Sequence, residues 1–238
     1  MSARYALYLA PPPDSDLWRF GCRVLGRDAA TGATIEGFAP AGCTPQAWRD
    51  IAAEPRRYGF HATLKAPFRL REGRTLEGLE RRLETFVQSV QAFDLGGLGV
   101  SSLRIGSGDF GFVALTPLRA PANLAALEAL ALAEFDDFRA PPGEAEIARR
   151  RPERLSDRQR EYLATWGYPY VREEFRLHFT LSGAVASPTP LASDLAEAFA
   201  REVADPGFAV DALALFEQRG GGDFRFRRRF PLNPGSPT

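Results

Sequence analysis

Alternating hydrophobic and polar residues predict β-strands in several stretches of the chain. The stretches span residues 5–9, 58–68, 95–105, 110–115, 175–183, 209–217 and 224–230. Residues 106–109 (Gly-Ser-Gly-Asp) predict a turn between the strands on either side of them, and the three glycines at 220–222 mark another. The pattern therefore predicts two hairpins, one in each half of the chain.

Apolar residues spaced three and four apart predict helices between these strands. One helix begins at a capping Thr75 and reaches about residue 91, and another begins at Pro121 and reaches about residue 138. Ser156 and Gln159 have the spacing of a capping box, so a short helix is expected to end near residue 166. A further helix begins at residues 189–190 (Thr-Pro) and carries an apolar face that includes Leu195.

Two segments have weaker patterns. Residues 14–54 predict a short helix near Trp18 among loops, and residues 139–155 predict an irregular insertion rich in Pro, Arg and Glu. The rest of the chain contains two similar units, roughly 58–116 and 175–231. Each unit has a strand with a histidine, then a helix, then two strands, and this order predicts an α+β fold.

Charge and composition narrow the functional classes. Lys plus Arg and Asp plus Glu number 30 each, so the chain as a whole has no attraction for nucleic acid or an anionic membrane. No stretch is long and apolar enough to span a bilayer, and no targeting segment is recognisable, so we expect a cytoplasmic protein. The two cysteines, Cys22 and Cys43, are expected to be free thiols.

The two histidines of the chain occupy matching short motifs. Residues 60–64 read Phe-His-Ala-Thr-Leu, and residues 177–181 read Leu-His-Phe-Thr-Leu. Because alternate side chains of a strand share a face, His61 lies with Thr63 and Lys65, and His178 lies with Thr180. The intervening apolar residues can then enter the core.

This pairing suits displacement at phosphorus. An imidazole can act as a general base or a general acid near neutral pH, and such a reaction needs one of each. A threonine hydroxyl two residues on can donate a hydrogen bond to a non-bridging oxygen and stabilise the charge of the transition state. The motifs therefore predict His61 and His178 as catalytic residues, and Thr63 and Thr180 as phosphate contacts.

Residues 58–64 (Tyr-Gly-Phe-His-Ala-Thr-Leu) and 178–181 (His-Phe-Thr-Leu) resemble the paired signature of the 2H phosphoesterase superfamily, which includes RNA 2′,3′-cyclic phosphodiesterases. Residues 58–68, 166–171 and 25–28 are similar to a narrower branch of unknown function that is associated with phosphonate metabolism. This resemblance extends over nearly the whole chain. The resemblance implies a single bilobal domain over residues 1–238, with two antiparallel sheets flanking a central cleft. Residues 139–170 would be an insertion relative to compact members.

Several further residues have two readings. Lys65 and Tyr58 share the face of His61 and could contact the substrate, but Lys65 could equally be a solvated strand end and Tyr58 a packing residue. Tyr168 and Tyr170 could line the cleft, although loop packing is favoured. The alternating arginines at 225, 227 and 229 are expected to be a solvated sheet face, with substrate attraction as the alternative.

No cofactor or metal is expected. Two histidines without a third imidazole, paired cysteines or a nearby carboxylate would leave a zinc ion underligated, and no Gly-Lys-Ser/Thr phosphate loop is present. The leading prediction is therefore a metal-independent phosphoesterase acting on a small, cyclic phosphodiester, which the resemblance connects with phosphonate breakdown. Two alternatives remain: an RNA-end 2′,3′-cyclic phosphodiesterase, and a non-catalytic protein that binds a phosphate ligand.

Overall fold

A computed structural model of the protein describes residues 3–105, 109–119 and 121–234. The strands are β1 (Arg4–Leu9), β2 (Ala62–Arg69), β3 (Phe93–Arg104), β4 (Phe110–Pro117), β5 (Phe179–Thr180), β6 (Val185–Ala186), β7 (Gly207–Val210), β8 (Ala212–Gln218) and β9 (Phe224–Pro231). The α-helices are α1 (Asp16–Leu25), α2 (Pro45–Arg56), α3 (Leu76–Gln88), α4 (Ala122–Glu134), α5 (Glu144–Arg149), α6 (Asp157–Trp166) and α7 (Pro188–Glu202). The α+β class predicted from the sequence is confirmed.

The strands form one antiparallel sheet in the order β7-β3-β4-β5-β2-β1-β8-β9, and β6 pairs with β4. The predicted pair of separate sheets is therefore wrong. The short strand β5 is the reason, because it pairs with β4 through Leu115↔Phe179 and with β2 through Ala62↔Phe179. It thereby joins the two halves of the sheet.

The two similar units exchange their histidine strands. Strand β2 belongs to the first unit but pairs with β1, whose other neighbour is β8 of the second unit, whereas β5 of the second unit lies beside the β3–β4 hairpin of the first. Each helix lies in the same half of the sheet as the histidine strand that precedes it: α3 contacts β9, and α7 contacts β3 and β4. The exchange brings the start of β2 and the start of β5 together at the middle of the sheet.

Elements with strong local signals follow the prediction. Thr75 caps α3 by accepting a hydrogen bond from the Gly78 amide, and Ser156 with Gln159 forms the complete capping box of α6. The β3–β4 hairpin pairs from Leu98↔Pro117 to Arg104↔Gly111. Residues 106–108 of its predicted turn lie outside the described residues.

Other elements differ from the prediction. Residues 14–54 contain two helices, because Thr44 caps α2 and Pro45 occupies its first turn. The segment 139–155 contains α5 and a short 3-10 helix at Pro152–Arg154. The strand predicted at 175–183 is only two residues long, since the Leu181 and Ser182 amides both donate to the Val113 carbonyl and the Gly183 amide donates to Ile51.

One face of the sheet carries the main core. Its buried side chains come from alternate strand positions such as Leu64, Phe179 and Leu215, which pack against α1, α3, α4 and α7. In the described part of the chain, no helix has the length and apolar character needed to cross a membrane.

The segment after α4 is anchored over the end of β2. The Lys65 ammonium, whose side chain is 2% exposed, donates to the Leu132 carbonyl at 3.2 Å and to Asp136 Oδ1 at 3.1 Å. Arg139 donates to both carboxylate oxygens of Asp136 and to the Thr165 carbonyl. Asp136 therefore connects strand β2 with the segment that leads into α5 and α6.

Asp136→Ala is expected to destabilise the protein by about 3 kcal/mol, because it leaves the buried Lys65 charge without its counterion. Urea denaturation followed by circular dichroism measures the loss. The neighbouring Asp137→Ala is the matched control, since its exposed ion pair with Arg74 contributes roughly 1 kcal/mol or less. Equal effects of the two variants would contradict the anchoring role of Asp136.

Candidate active site

A cleft of about 300 Å³ opens where β2 and β5 meet. Its lining includes the four motif residues, which are His61, Thr63, His178 and Thr180. Ala62 and Phe179 between them are fully buried in the main core. The predicted division of each motif between a polar face and an apolar face therefore agrees with the structure.

The register of β2 and β5 sets the arrangement of these four side chains. The paired residues Ala62 and Phe179 each directly follow a histidine. Continued by one residue in both directions, this register brings His61 opposite Thr180 and Thr63 opposite His178. Directly opposed side chains in an antiparallel pair have Cβ atoms about 4.5–5.5 Å apart, so the histidines lie on one diagonal of a small square and the threonines on the other.

Both imidazoles are held in the same way. His61 donates its Nδ1–H to the Gly59 carbonyl at 2.9 Å, and His178 donates its Nδ1–H to the Arg176 carbonyl at 2.8 Å. Each acceptor lies two residues before its histidine. In the neutral ring this bond leaves Nε2 unprotonated, so the Nε2 of each histidine has a lone pair that can accept a proton.

The His61 ring is stacked on Tyr8, with ring centroids 3.6 Å apart and an angle of 23° between the planes. Its Nε2 lies 3.3 Å from the Thr63 hydroxyl, which donates when Nδ1 carries the proton. Burial, with a contribution from the charge of His178, lowers the pKa of His61 to about 4, although the Gly59 carbonyl opposes this shift. His61 is therefore neutral at pH 7.

His178 has a different environment. Its ring lies 5.4 Å from that of Phe112, at an angle of 57°. Burial lowers the pKa of His178, and the Arg176 carbonyl opposes that shift by stabilising the protonated ring. The two histidines thus share a tautomer but differ in their neighbours.

Of the other predicted contacts, Tyr58 lines the cleft and Lys65 does not. Tyr58 is half-buried, with its ring 6.3 Å from that of His61 and stacked on Phe224. Lys65 is buried beneath the segment after α4, where its ammonium is paired with Asp136. The reading of Lys65 as a cleft residue or a solvated strand end is wrong, because that segment covers its part of the strand.

Three cleft residues were missed or misjudged from the sequence. Tyr8 pairs with Thr63 across β1 and β2, and its buried hydroxyl has no partner among the described residues. Arg150 and Tyr168 reach the cleft from the 139–170 segment, although Tyr170 does not line it. Tyr8 could have been identified only by knowing that β1 pairs with β2, and no local signal in the sequence marks Arg150.

Ser182, which also lines the cleft, and the predicted arginine row have structural partners. Ser182 accepts a hydrogen bond from the Val113 amide and donates to the Gly183 carbonyl, both at 2.9 Å. The arginines of β9 do not line the cleft: Arg227 pairs with Glu80 and Glu217, and Arg229 with Asp211. Within the described ranges, no three side chains among His, Cys, Asp and Glu come together as a metal site.

Two curated proteins are similar to this chain, and both are named ribose 1,5-bisphosphate phosphokinase PhnN. The one from Laribacter hongkongensis is 37% identical over 232 residues, which cover 94% of this chain and 51% of that protein. The one from Janthinobacterium sp. is 34% identical over 236 residues, which cover 97% and 51%. The chain spans about half the length of the curated relatives it matches.

Solved structures with a related arrangement include E. coli LigT complexed with ATP and Kluyveromyces marxianus Usb1. LigT has a TM-score of 0.43 and 14% identity, with 98% of this chain and 99% of that chain covered. Usb1 has a TM-score of 0.39 and 12% identity, with 97% of each chain covered.

A family model described as "Protein of unknown function (DUF1045)" matches residues 63–225. The match includes His178 and both motif threonines and begins two residues after His61. Because it covers more than half of the 238 residues, it confirms the resemblance to a branch of unknown function that the sequence predicts. The chain belongs to the DUF1045 family.

Proposed function

We propose that this protein is a metal-independent phosphoesterase that hydrolyses a small cyclic phosphodiester. The observation that carries the proposal is that two histidines and two threonines line one cleft on either side of the Ala62↔Phe179 pair. Each histidine uses Nδ1 for its backbone bond and has Nε2 for proton transfer, and the extended register brings each one opposite a threonine hydroxyl of the other motif. A phosphate between the imidazoles could receive a nucleophile on one side and release a leaving group on the other.

We assign the general base to His61 and the general acid to His178. A base must be unprotonated before the reaction, and the pKa of about 4 keeps His61 in that state at neutral pH. Burial lowers the pKa of His178 as well, and no contribution from a second imidazolium adds to that shift, so we assign the acid role to this ring. The stacking of Tyr8 on His61 holds the proposed base in position.

The proposed step is balanced within the site. His61 Nε2 takes a proton from a water molecule as its oxygen bonds to phosphorus, and the bond from phosphorus to one ring oxygen breaks. His178 Nε2–H gives its proton to that departing oxygen, so the product is a phosphomonoester with a free hydroxyl. The Thr63 and Thr180 hydroxyls donate hydrogen bonds to the non-bridging oxygens as charge develops there.

A small substrate fits the cleft better than an RNA end. A volume of about 300 Å³ lies at the lower end of the range for small-molecule sites. A surface that binds several nucleotides of RNA needs unpaired cations, yet the Arg227 and Arg229 side chains are neutralised by carboxylates. The curated relatives are named for a pentose with two phosphates, which supports a phosphorylated sugar as the substrate class.

Substitution of each histidine by asparagine tests the assignment. An asparagine amide can still donate to the carbonyl two residues earlier, but it cannot carry the proton of Nε2. On ribose 1,2- and 2,3-cyclic phosphates, we expect kcat to fall by about 10²–10⁴-fold for both His61→Asn and His178→Asn. Activity of the wild type should survive EDTA, and chelator-sensitive activity would contradict the metal-independent reaction.

A substrate with a good leaving group separates the two roles. Methyl p-nitrophenyl phosphate releases p-nitrophenolate without protonation, so we expect His178→Asn to retain at least tenfold more activity on it than His61→Asn. The opposite order would reverse the assignment of base and acid. Unchanged urea denaturation midpoints of the two variants exclude misfolding as the cause.

The pH profile is expected to be bell-shaped with an acidic optimum. In the free protein, kcat/KM should rise with pH through about 4 as His61 becomes neutral. It should fall as His178 loses its proton, at a pH below the ordinary histidine value of about 6.5. A bound phosphate anion favours both protonated rings, so the profile of kcat should move to higher pH. A kcat/KM optimum above pH 8 would contradict these assignments.

A further inference from the structure

The described lining of the cleft contains one residue with a permanent positive charge, Arg150. The neutral imidazoles contribute none in the free protein at pH 7. Glu54 also lines the cleft, and neither it nor Arg150 takes part in an ion pair within residues 3–105, 109–119 and 121–234. Arg150 is therefore a half-buried cation whose charge is available to an anionic ligand.

The guanidinium of Arg150 is held by Tyr168, with its central carbon 4.9 Å from the ring centroid. Tyr168 in turn packs against the small core of Leu132, Tyr162 and Val171, which fixes the insertion on α4. Stacking on an aromatic face leaves the N–H edge of the guanidinium free for a bidentate anion. Arg150 is thus presented by an ordered unit of the fold.

Arg150 and the four motif residues enter the cleft from different elements. Arg150 directly follows α5 in the insertion, whereas the motif residues lie in β2 and β5 or directly before them. Its positive charge acts on Tyr8 and Tyr168, where it opposes the burial that raises the pKa of both phenols. The cleft therefore has a proposed reaction centre between the motifs and a separate cationic position at the wall formed by the insertion.

We propose that Arg150 binds a second phosphate group of the substrate, so that the substrate is a sugar bearing both a cyclic phosphodiester and a phosphomonoester. This inference rests on the proposed function, since it requires the diester to occupy the site between the histidines. A phosphomonoester carries up to two negative charges and presents oxygens that match the guanidinium fork. The insertion then selects the substrate, while the motifs act on the scissile bond.

Paired substrates and a neighbouring arginine test this proposal. The substrates are ribose 1,2- and 2,3-cyclic phosphates, each with and without a phosphate at C5. For the wild type, we expect kcat/KM to be at least tenfold higher with the C5 phosphate. Within the preferred pair, Arg150→Ala should lower kcat/KM for the compound with the C5 phosphate by about 10- to 100-fold, mainly through KM. It should change kcat/KM for the compound without the C5 phosphate by less than threefold.

The exposed Arg149 is the matched control, because it has the same charge and is the last residue of α5, directly before Arg150, but does not line the cleft. Arg149→Ala should leave both substrates within threefold of the wild type, and Arg150→Lys should lie between Arg150→Ala and the wild type. An equal loss on both members of a pair, or no loss, would overturn the role of Arg150 and leave the proposed function standing. If the wild type hydrolyses none of the four compounds, the proposed function itself fails.

Discussion

The pairing of β2 with β5 is the constraint on which the rest of the structure depends. Through Ala62↔Phe179 it joins the two halves of the sheet, and both residues are fully buried in the main core. The same pair puts the preceding histidines and the following threonines on the opposite face. Since a slip of either strand by one residue would turn the histidine of that strand into the core, fold and candidate site depend on the same contact.

The exchange of strands between the two units explains why the site needs the whole chain. Each histidine strand lies in the half of the sheet whose hairpin belongs to the other unit, so neither unit alone could surround its histidine. Tyr8 of β1 contacts His61, and Phe112 of β4 contacts His178, which shows that each ring is supported by a strand distant in sequence. Long-range pairing therefore determines the environment of each imidazole.

How far the sequence predicts this structure depends on the range of the determining contacts. Capping at Thr75 and Ser156 is local, and both helices begin where the sequence indicates. Strand β5 is much shorter than its apolar pattern suggests because its neighbours bond to Val113 and Ile51, partners that no local pattern specifies. Lys65 is excluded from the cleft by its bonds to Leu132 and Asp136, and Arg150 reaches the cleft because the 139–170 segment, which Arg139 ties to Asp136, docks beside it. Both contacts join residues far apart in sequence.

The motifs are alike in sequence and in backbone contact, yet two different proton-transfer roles require unlike imidazoles. The bond from Nδ1 to the carbonyl two residues earlier is common to both, so it fixes the tautomer without distinguishing the rings. The distinction comes from what surrounds them: burial, with Tyr8 stacked on the ring, and to a smaller extent the charge of His178 lower the pKa of His61 to about 4. In the proposed reaction, a duplicated motif would supply a base and an acid because the sheet gives each copy different neighbours.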